Sequence, residues 1–318
     1  MLNFFTVAKE SSPPGNPRAT SYVIWRTPGA GFFSIIASTL ARLRIAEEQG
    51  LTPVIDLQTP PSVYQEEHPV SGTRNVWEYY FLQPAGRGVD ELGENPVRND
   101  GTWPKGYGYD LSGSPLYKEM WDRYVRLNES SRSAIAQSQN ELGLSGKTLA
   151  VHYRGQEMRT AKGHHYPPTI SQMNAAISWS LDNHDVDDIL LVTEAQQYVD
   201  VFGRRWGKRL QTSPSFRLRR KNSYTVSPPP RPLHKYMLGL EALRDAHLMA
   251  LCGGLVCGRS NLSEAAIMLS NNRLAPLVRI SQGRNSFRPY IAPFKWYAKR
   301  AMPEFLGGFS PWAPPVEA

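Results

Sequence analysis

An α/β fold of two parallel-sheet domains facing each other across a cleft is what this 318-residue sequence predicts, and three observations carry the prediction. A strand, a glycine turn, a helix and a second strand follow one another from residue 22 to residue 57, which is a βαβ unit. A second and longer alternation of strands and helices starts at Thr148. Between the two lies the glycine-containing connection 143–147. The boundary is therefore drawn there, with one α/β domain over 1–146 and a second over 147–318. The last helix is a candidate to pack back on the first domain.

Tyr22-Val-Ile-Trp25 is a short β-prone run, and Pro28-Gly-Ala-Gly31 turns the chain. Residues 34–49 read as a helix from the spacing of Ile35, Ile36, Leu40, Leu43 and Ala46, with Gly50 as the stop. Pro53-Val-Ile-Asp-Leu57 is the second strand. Residues 59–114 carry Pro, Gly and aromatics without periodicity and read as loops and short helices. Residues 115–142 read as helical, broken near 128–131. Thr148-Leu-Ala-Val-His-Tyr153 begins the second series, followed by a helix at 171–183 and the almost wholly apolar strand Asp188-Ile-Leu-Leu-Val-Thr193, a pattern that suits a buried parallel sheet. A short helix from Ala195, a basic proline-rich crossing at 204–232, a helix at 234–251, a strand at 254–257 and a helix from Asn261 complete the series.

Apolar residues at 41% and charged residues at 20% supply a core and exclude wholesale disorder. No uncharged run carries the ~18 apolar residues of a membrane-spanning helix; the stretch 27–41 holds a proline and two glycines. Residues 1–8 lack the pattern of a secretory signal. The two cysteines, Cys252 and Cys257, build no disulfide framework. The expectation is a reduced, cytoplasmic protein. Its charge is uneven. Residues 1–147 carry a net charge of −2 and residues 148–318 a net +10, and the acid-free interval 201–240 holds ten Lys or Arg. Such a half is either a solvated basic surface or one built to attract an anion. Read as a nucleic-acid surface, the 204–221 cluster has Trp206, Phe216 and Tyr224 interleaved as stacking partners. Read as a peripheral membrane contact, it faces acidic lipid.

Three segments carry candidate chemistry. His152-Tyr-Arg154-Gly-Gln-Glu157 leaves the carboxyl end of a strand, where open α/β sheets bind ligands, and the planar guanidinium fork of Arg154 suits phosphate oxygens. The plain alternative is that these residues cap a loop. Cys257-Gly-Arg-Ser260-Asn-Leu-Ser-Glu264 is strand, turn and helix. Ser260 or Asn261 serves as N-cap, Asn261 with Glu264 matches a capping box, and the helix end offers free N–H groups and a positive dipole to phosphate. An ordinary capped helix has the same pattern. Gly29-Ala-Gly31-Phe-Phe-Ser34 resembles a phosphate-binding turn at Gly31 and Phe32, but lacks the third glycine of a dinucleotide fingerprint and the Lys of a P-loop. Cys-x4-Cys without histidines is a poor zinc signal, and Cys257 reads as a buried thiol. His164-His165 reads as surface or loop histidine, with a substrate-facing position as the alternative, and Asp185, Asp187 and Asp188 read as a solvated approach to a strand. No Ser/His/Asp order and no HExxH are found.

As a set and in order, Gly31-Phe-Phe-Ser34, Ala46-Glu-Glu-Gln-Gly-Leu-Thr-Pro-Val-Ile-Asp56, Val151-His-Tyr-Arg154, Leu190-Leu-Val-Thr-Glu194 and the run from Asp245 to Ser260 resemble the fucosyltransferase superfamily. That superfamily includes the α-1,6-fucosyltransferases, the nodulation fucosyltransferase and the protein O-fucosyltransferases. The resemblance implies a GT-B fold of two Rossmann-like domains, with the nucleotide sugar held mainly by the C-terminal one. It implies that Arg154 pairs with the donor pyrophosphate, that His152 lines the same pocket, and that Ser260 and Asn261 offer donors to phosphate. By the same resemblance Thr193-Glu194 falls where the family has acidic residues near the guanine base, and the acceptor proton goes to a carboxylate, for which Glu157 is the nearest candidate, or to a phosphate oxygen. Glu157 stands where the α-1,6 members have Asp, and Glu194 where they have an Asp pair. The implied enzyme is inverting, needs neither cofactor nor metal, takes GDP-fucose or another GDP-sugar, and uses a glycan or glycolipid acceptor. Gly31–Ser34, with Phe33, and residues 59–114, with Trp103, are expected on the acceptor side. No nucleic-acid partner is implied.

Overall fold

The computed structural model describes residues 20–27, 29, 31–155, 157–219 and 226–314. The expectation for residues 1–8, Pro28 and Ala30 of the glycine turn, Gln156, and Lys221 and Tyr224 of the basic cluster lie outside the described residues. The chain divides into two compact units, residues 1–107 with 119–128, and residues 108–118 with 129–318.

The first unit holds β1 (Ser21–Ile24), α1 (Phe32–Glu48), β2 (Thr52–Ile55) and β3 (Val97–Arg98). The three strands form a parallel sheet in the order β2-β1-β3. β3 lies inside the stretch read as loops. It has two exposed residues and no alternation of its own, and it is a strand only because Tyr22 and Val23 offer it a ladder. α1 starts two residues earlier than its apolar spacing indicates. Gly31, in extended backbone, places its carbonyl to receive the N–H groups of Ser34 and Ile35.

That early start decides the fate of two aromatic rings. Phe32 and Phe33 are buried on the first turn of α1. Phe32 meets Phe33, Tyr64 and Tyr80 edge-on at centroid distances of 5.4, 5.5 and 5.1 Å, and its N–H donates to Tyr64 Oη at 2.7 Å. Residues 64–81 fold over the helix start and remove both rings from water, which is the larger gain for an aromatic side chain. Neither ring is therefore presented as a surface contact. α2 (Pro115–Tyr124) and α3 (Glu129–Leu142) are the two pieces of the 115–142 segment. The break falls at 125–128 because that backbone pairs elsewhere: Arg126 O accepts from Leu82 N at 2.8 Å, and Asn128 N donates to Tyr80 O at 3.0 Å.

The second unit follows the expected alternation from residue 148 to residue 269 and adds strands at 210–212 and 277–280 and a helix at 292–301 that local pattern did not show. Its elements are α3, β4 (Thr148–Tyr153), α4 (Ile170–Asn183), β5 (Asp188–Thr193), α5 (Gln196–Trp206), β6 (Leu210–Thr212), α6 (His234–Leu251), β7 (Gly254–Gly258), α7 (Asn261–Leu269), β8 (Leu277–Ile280) and α8 (Ala292–Ala301). Five parallel strands run in the order β6-β5-β4-β7-β8. Side chains alternate across β4. Leu149, Val151 and Tyr153 join the core under α4 and α5, while Ala150 joins the core under α6 and α7. α3, on the N-terminal side of the expected 146/147 boundary, packs against α6 in this unit. α8 likewise packs within it, through the buried Trp296, whose Nε1 donates to Pro167 O at 3.0 Å.

The basic crossing is partly structural. Arg217 donates to the backbone carbonyls of Thr193, Ser213 and Ser215 at 2.7–3.0 Å, and burial lowers its pKa. Arg231 clamps the buried Glu241 at 2.7 and 2.8 Å and lies over the Phe216 ring, and Arg219 pairs with Asp200 at 2.8 Å. Trp206 Nε1 donates to Asn174. Two of the interleaved aromatics and several of the cations are thus engaged inside the fold. Truncation of Phe32 to Ala is expected to cost about 3–5 kcal/mol, read by urea denaturation, whereas Leu82→Ala, with its side chain half-exposed, stays within about 0.5 kcal/mol.

Candidate functional site at the carboxyl ends of β4 and β7

With β4 as the first strand of the second unit, the sheet order is the 3-2-1-4-5 of a doubly wound fold, and the order reverses between β4 and β7. The loops leaving those two strands part to opposite faces and leave a crevice, which is where such sheets bind ligands. The β4 exit carries His152 and Arg154, and the β7 exit carries Gly258, Arg259 and Ser260. These residues line one depression together with Met158, His165, Pro167 and Pro168. Gly258 is required there by space: a Cβ would stand 2.8 Å from Pro168 Cδ.

His152 is buried at the end of β4, on the face toward α7, so its ring meets that helix. Its Nδ1 lies 2.6 Å from Ser263 Oγ and 3.4 Å from Ser260 Oγ. Ser263 Oγ donates to Gly258 O at 3.2 Å, which uses its only proton and assigns the Nδ1–H tautomer to His152, with Nε2 as the acceptor. Burial, with the Arg154 charge as a second cause, pushes the imidazole pKa down to about 3. His152 is a neutral fixture of the site, not an acid.

Ser260 is the N-cap of α7, its Oγ accepting from Ser263 N at 3.2 Å. The Asn261–Glu264 capping box is not formed. With Ser260 as cap, Asn261 is the first helical residue and Glu264 the fourth, one position too far along to reach back. Glu264 is buried instead. Its Oε2 accepts from Ser112 Oγ and faces Arg279 Nη2 at 3.3 Å, and burial raises its pKa. Beside it, Asp110 accepts from Arg259 Nη2 at 3.1 Å and so anchors the arginine that lines the depression.

Arg154 Nη2 donates to Glu157 Oε1 at 2.6 Å, both side chains about one-third exposed. Glu194 Oε1 accepts from Gly155 N at 3.0 Å, so its carboxylate shapes the turn that carries Arg154. Thr193, at the end of β5, is buried, and its Oγ1 has no hydrogen-bond partner among the described residues. His152, Arg154, Glu157, Ser260 and Asn261 are therefore brought to neighbouring strand exits, with Glu194 bonded to the same turn. Gly31 and Phe32 belong to the first unit. Gly31 caps α1, and the Phe32 side chain is buried in the aromatic core.

Two residues of the depression carried little weight in the sequence. Arg259 was legible as the residue before an N-cap in a strand–turn–helix. His165 was not, since only the fold brings residues 163–166 alongside 283–286. Its Nε2 accepts from Arg284 Nε at 3.2 Å, and burial and the Arg284 charge lower its pKa. His164 is shifted the same way by burial and by Arg154. Both cysteines are buried and their thiols are pushed up to about 12, so neither is a nucleophile. Asp185 and Asp187 form exposed ion pairs with Lys147. Among the described residues, no three His, Cys, Asp or Glu side chains gather as metal ligands, and no helix is long and apolar enough to cross a membrane.

No protein-family model matches the sequence, and no curated protein matches it. Its fold is shared with solved structures. The NodZ α-1,6-fucosyltransferase co-crystallized with GDP aligns at a TM-score of 0.54 and 17% identity, over 79% of this chain and 92% of that one. Fucosyltransferase NodZ from Bradyrhizobium aligns at 0.53 and 18% identity, over 79% and 93%. NodZ soaked with GDP-fucose aligns at 0.52 and 18%, over 79% and 92%. The chain shares the fold of the NodZ structures, the fold that the ordered motifs led one to expect.

Neutral histidines couple this site to acid stability. The folded state holds His152 neutral to about pH 3 and His247, half-buried on α6, to about pH 4, while the unfolded chain takes up those protons near pH 6.5. Their contribution is complete above pH 6.5 and is lost as pH falls. Asp245, buried and raised to about 6, acts oppositely between pH 6 and 4. His152→Gln is expected to reduce the wild-type slope of unfolding free energy against pH by up to ~1.4 kcal/mol per pH unit between pH 6 and 4, read from urea titrations.

Proposed function

We propose that the chain is a glycosyltransferase that moves fucose from GDP-fucose to a hydroxyl of a glycan or glycolipid, with inversion and without a metal ion. The observation that carries this reading is that Arg154 and the capped N-terminus of α7 line one depression at the switch point of the sheet, in a chain that shares the fold of NodZ, a protein co-crystallized with GDP.

The chemistry asks for little beyond positioned positive charge. As the bond between the anomeric carbon and the β-phosphate oxygen breaks, negative charge grows on the leaving diphosphate. The guanidinium fork of Arg154, the neighbouring Arg259 and the free N–H groups of α7 are fixed donors for that charge, which is electrostatic preorganisation. They take the place that a divalent cation holds in metal-using transferases. Neutral His152 with the Ser260 and Ser263 hydroxyls holds β4 and α7 in register. The acceptor hydroxyl attacks the face opposite the leaving group, so a single displacement inverts the centre. Its proton goes to Glu157 or to a phosphate oxygen. Glu157 also orients Arg154, so its removal acts on both. Glu194 and Thr193 lie on the side assigned to the nucleobase. We further propose that the first unit recognises the acceptor through residues 59–107, where Trp103 is half-buried, its Nε1 bonded to Tyr107 O at 2.7 Å.

A thermal-shift panel tests the donor. GDP is expected to stabilise the protein selectively over UDP, ADP and CDP, by about 2.7 kcal/mol at ~100 times its Kd, and to do so unchanged in EDTA. Stabilisation that disappears with EDTA and returns with Mn²⁺ sinks the metal-free mechanism. Equal response to all four nucleotides sinks the donor assignment. Arg154→Ala should lose about 10²–10³ in kcat with unchanged circular dichroism, and Arg154→Lys should recover only part because the fork is gone. A surface ion pair of no catalytic consequence would be worth only ~0–1 kcal/mol, and near-normal turnover in Arg154→Ala places the active site elsewhere. Trp103→Ala should raise the acceptor KM while leaving GDP affinity within about twofold.

A further inference from the structure

We infer that the segment 284–306 docks this chain on an anionic phospholipid surface. Eight of the fourteen large hydrophobic side chains exposed among the described residues lie between Phe287 and Leu306, led by Phe305 at 85%, Tyr290 at 79%, Phe287 at 73% and Phe294 at 71%. Exposed apolar residues scattered singly are ordinary, whereas a contiguous group marks an interaction surface. This group is mostly aromatic, the composition that settles at the headgroup level of a bilayer.

The exposure is built, not loose. Trp296 anchors the inner side of α8 by its bond to Pro167 O and lies under the Arg159 guanidinium at 4.4 Å, and the buried Asn285 donates to Ala292 O at 3.0 Å. With that side held, Phe294 and Tyr297 are kept on the outside. α8 has ten residues, far too few to span a membrane, so the segment lies on the surface.

Charge selects the occupant. Residues 265–303 contain seven Lys or Arg and no acid. Among them Arg288, Lys295 and Arg300 are exposed and make no ion pair to a carboxylate among the described residues. A second copy docked by the same face would set these cations against themselves, with Glu304 as the one acid in the segment. Acidic headgroups complement them, and the long stems of Lys and Arg let the charge reach the headgroups while the rings enter the boundary. The patch also continues into the candidate site. Asn285 N donates to His164 O at 2.8 Å, Gly163 N donates to Ser286 O at 3.0 Å, and the Phe287 ring covers Gly163, so the loop that brings His165 to the depression is backed by the docking segment. The inference stands apart from the donor assignment.

Flotation of the full chain with vesicles of phosphatidylcholine, with and without about a third phosphatidylserine, tests it. Wild type should float with the acidic vesicles and release at high salt. Phe294→Ser with Phe305→Ser, and separately Arg288→Glu with Lys295→Glu, should each weaken binding about tenfold or more with unchanged circular dichroism. Arg204→Glu with Arg205→Glu, a control on the other basic stretch, should bind as wild type. Absence of binding, equal binding to neutral vesicles, retention by either patch variant, or loss in the control overturns the proposal. So does a concentration-dependent dimer abolished by the Phe substitutions without vesicle binding, which assigns the face to self-association.

Discussion

The bond between His152 Nδ1 and Ser263 Oγ, 2.6 Å long and buried, is the contact on which the candidate site depends. It joins the central strand of the second unit to the helix that opens beside it. Through Ser263 it reaches Gly258 O, and through Ser260 the N-cap of α7, so strand exit, turn and helix end form one connected polar network. A network of this kind inside an apolar core is stable only when every member is satisfied. Protonation at Nε2 would leave the Nδ1–H bond to Ser263 in place but put a charge into the buried interior beside Arg154. The neutrality of His152 is thus a structural requirement, and the positive charge of the site is left to Arg154, Arg259 and the helix end.

The second unit carries its cations in two ways. Arg217, Arg231 and Arg244 are drawn inward by carbonyls and by the buried carboxylates Glu241 and Asp245, where they stitch residues 213–217 and Arg231 onto α6. Breaking one of those pairs would leave an uncompensated charge in the interior. Among the described residues the cations of the 284–300 stretch pair with no carboxylate, and Arg288, Lys295 and Arg300 stay exposed at the surface. Net charge, the same in both stretches by sign, therefore says nothing about which residues are available to a partner.

The β4 exit shows how a local carboxylate shapes a cationic site. Glu157 holds the Arg154 guanidinium, and Glu194 receives the N–H of Gly155 between them. Asp110 does the same for Arg259 on the β7 side, from a segment more than a hundred residues earlier in the chain. Each arginine is aimed by an acid, which fixes its planar fork before any ligand arrives.

Local pattern was enough to read the strands Thr148–Tyr153 and Asp188–Thr193, the helices that follow them, and the placement of His152, Arg154 and Ser260 at strand exits, because alternation and apolar runs are imposed by a buried parallel sheet on each strand separately. β3 and β8 were not legible: short or partly exposed, they become strands through the ladders that β1 and β7 offer. Phe32 read as a turn residue because nothing local shows that residues 64–81 fold over it. Glu264 read as a cap partner because its true neighbours, Ser112 and Arg279, are distant in sequence. The amino-acid order thus determined the α/β class, the strand exits and the residues standing at them. Which of those residues are buried, neutral, paired or turned outward was decided only in the tertiary structure, since burial and charge pairing are properties of neighbours that the chain supplies from far away.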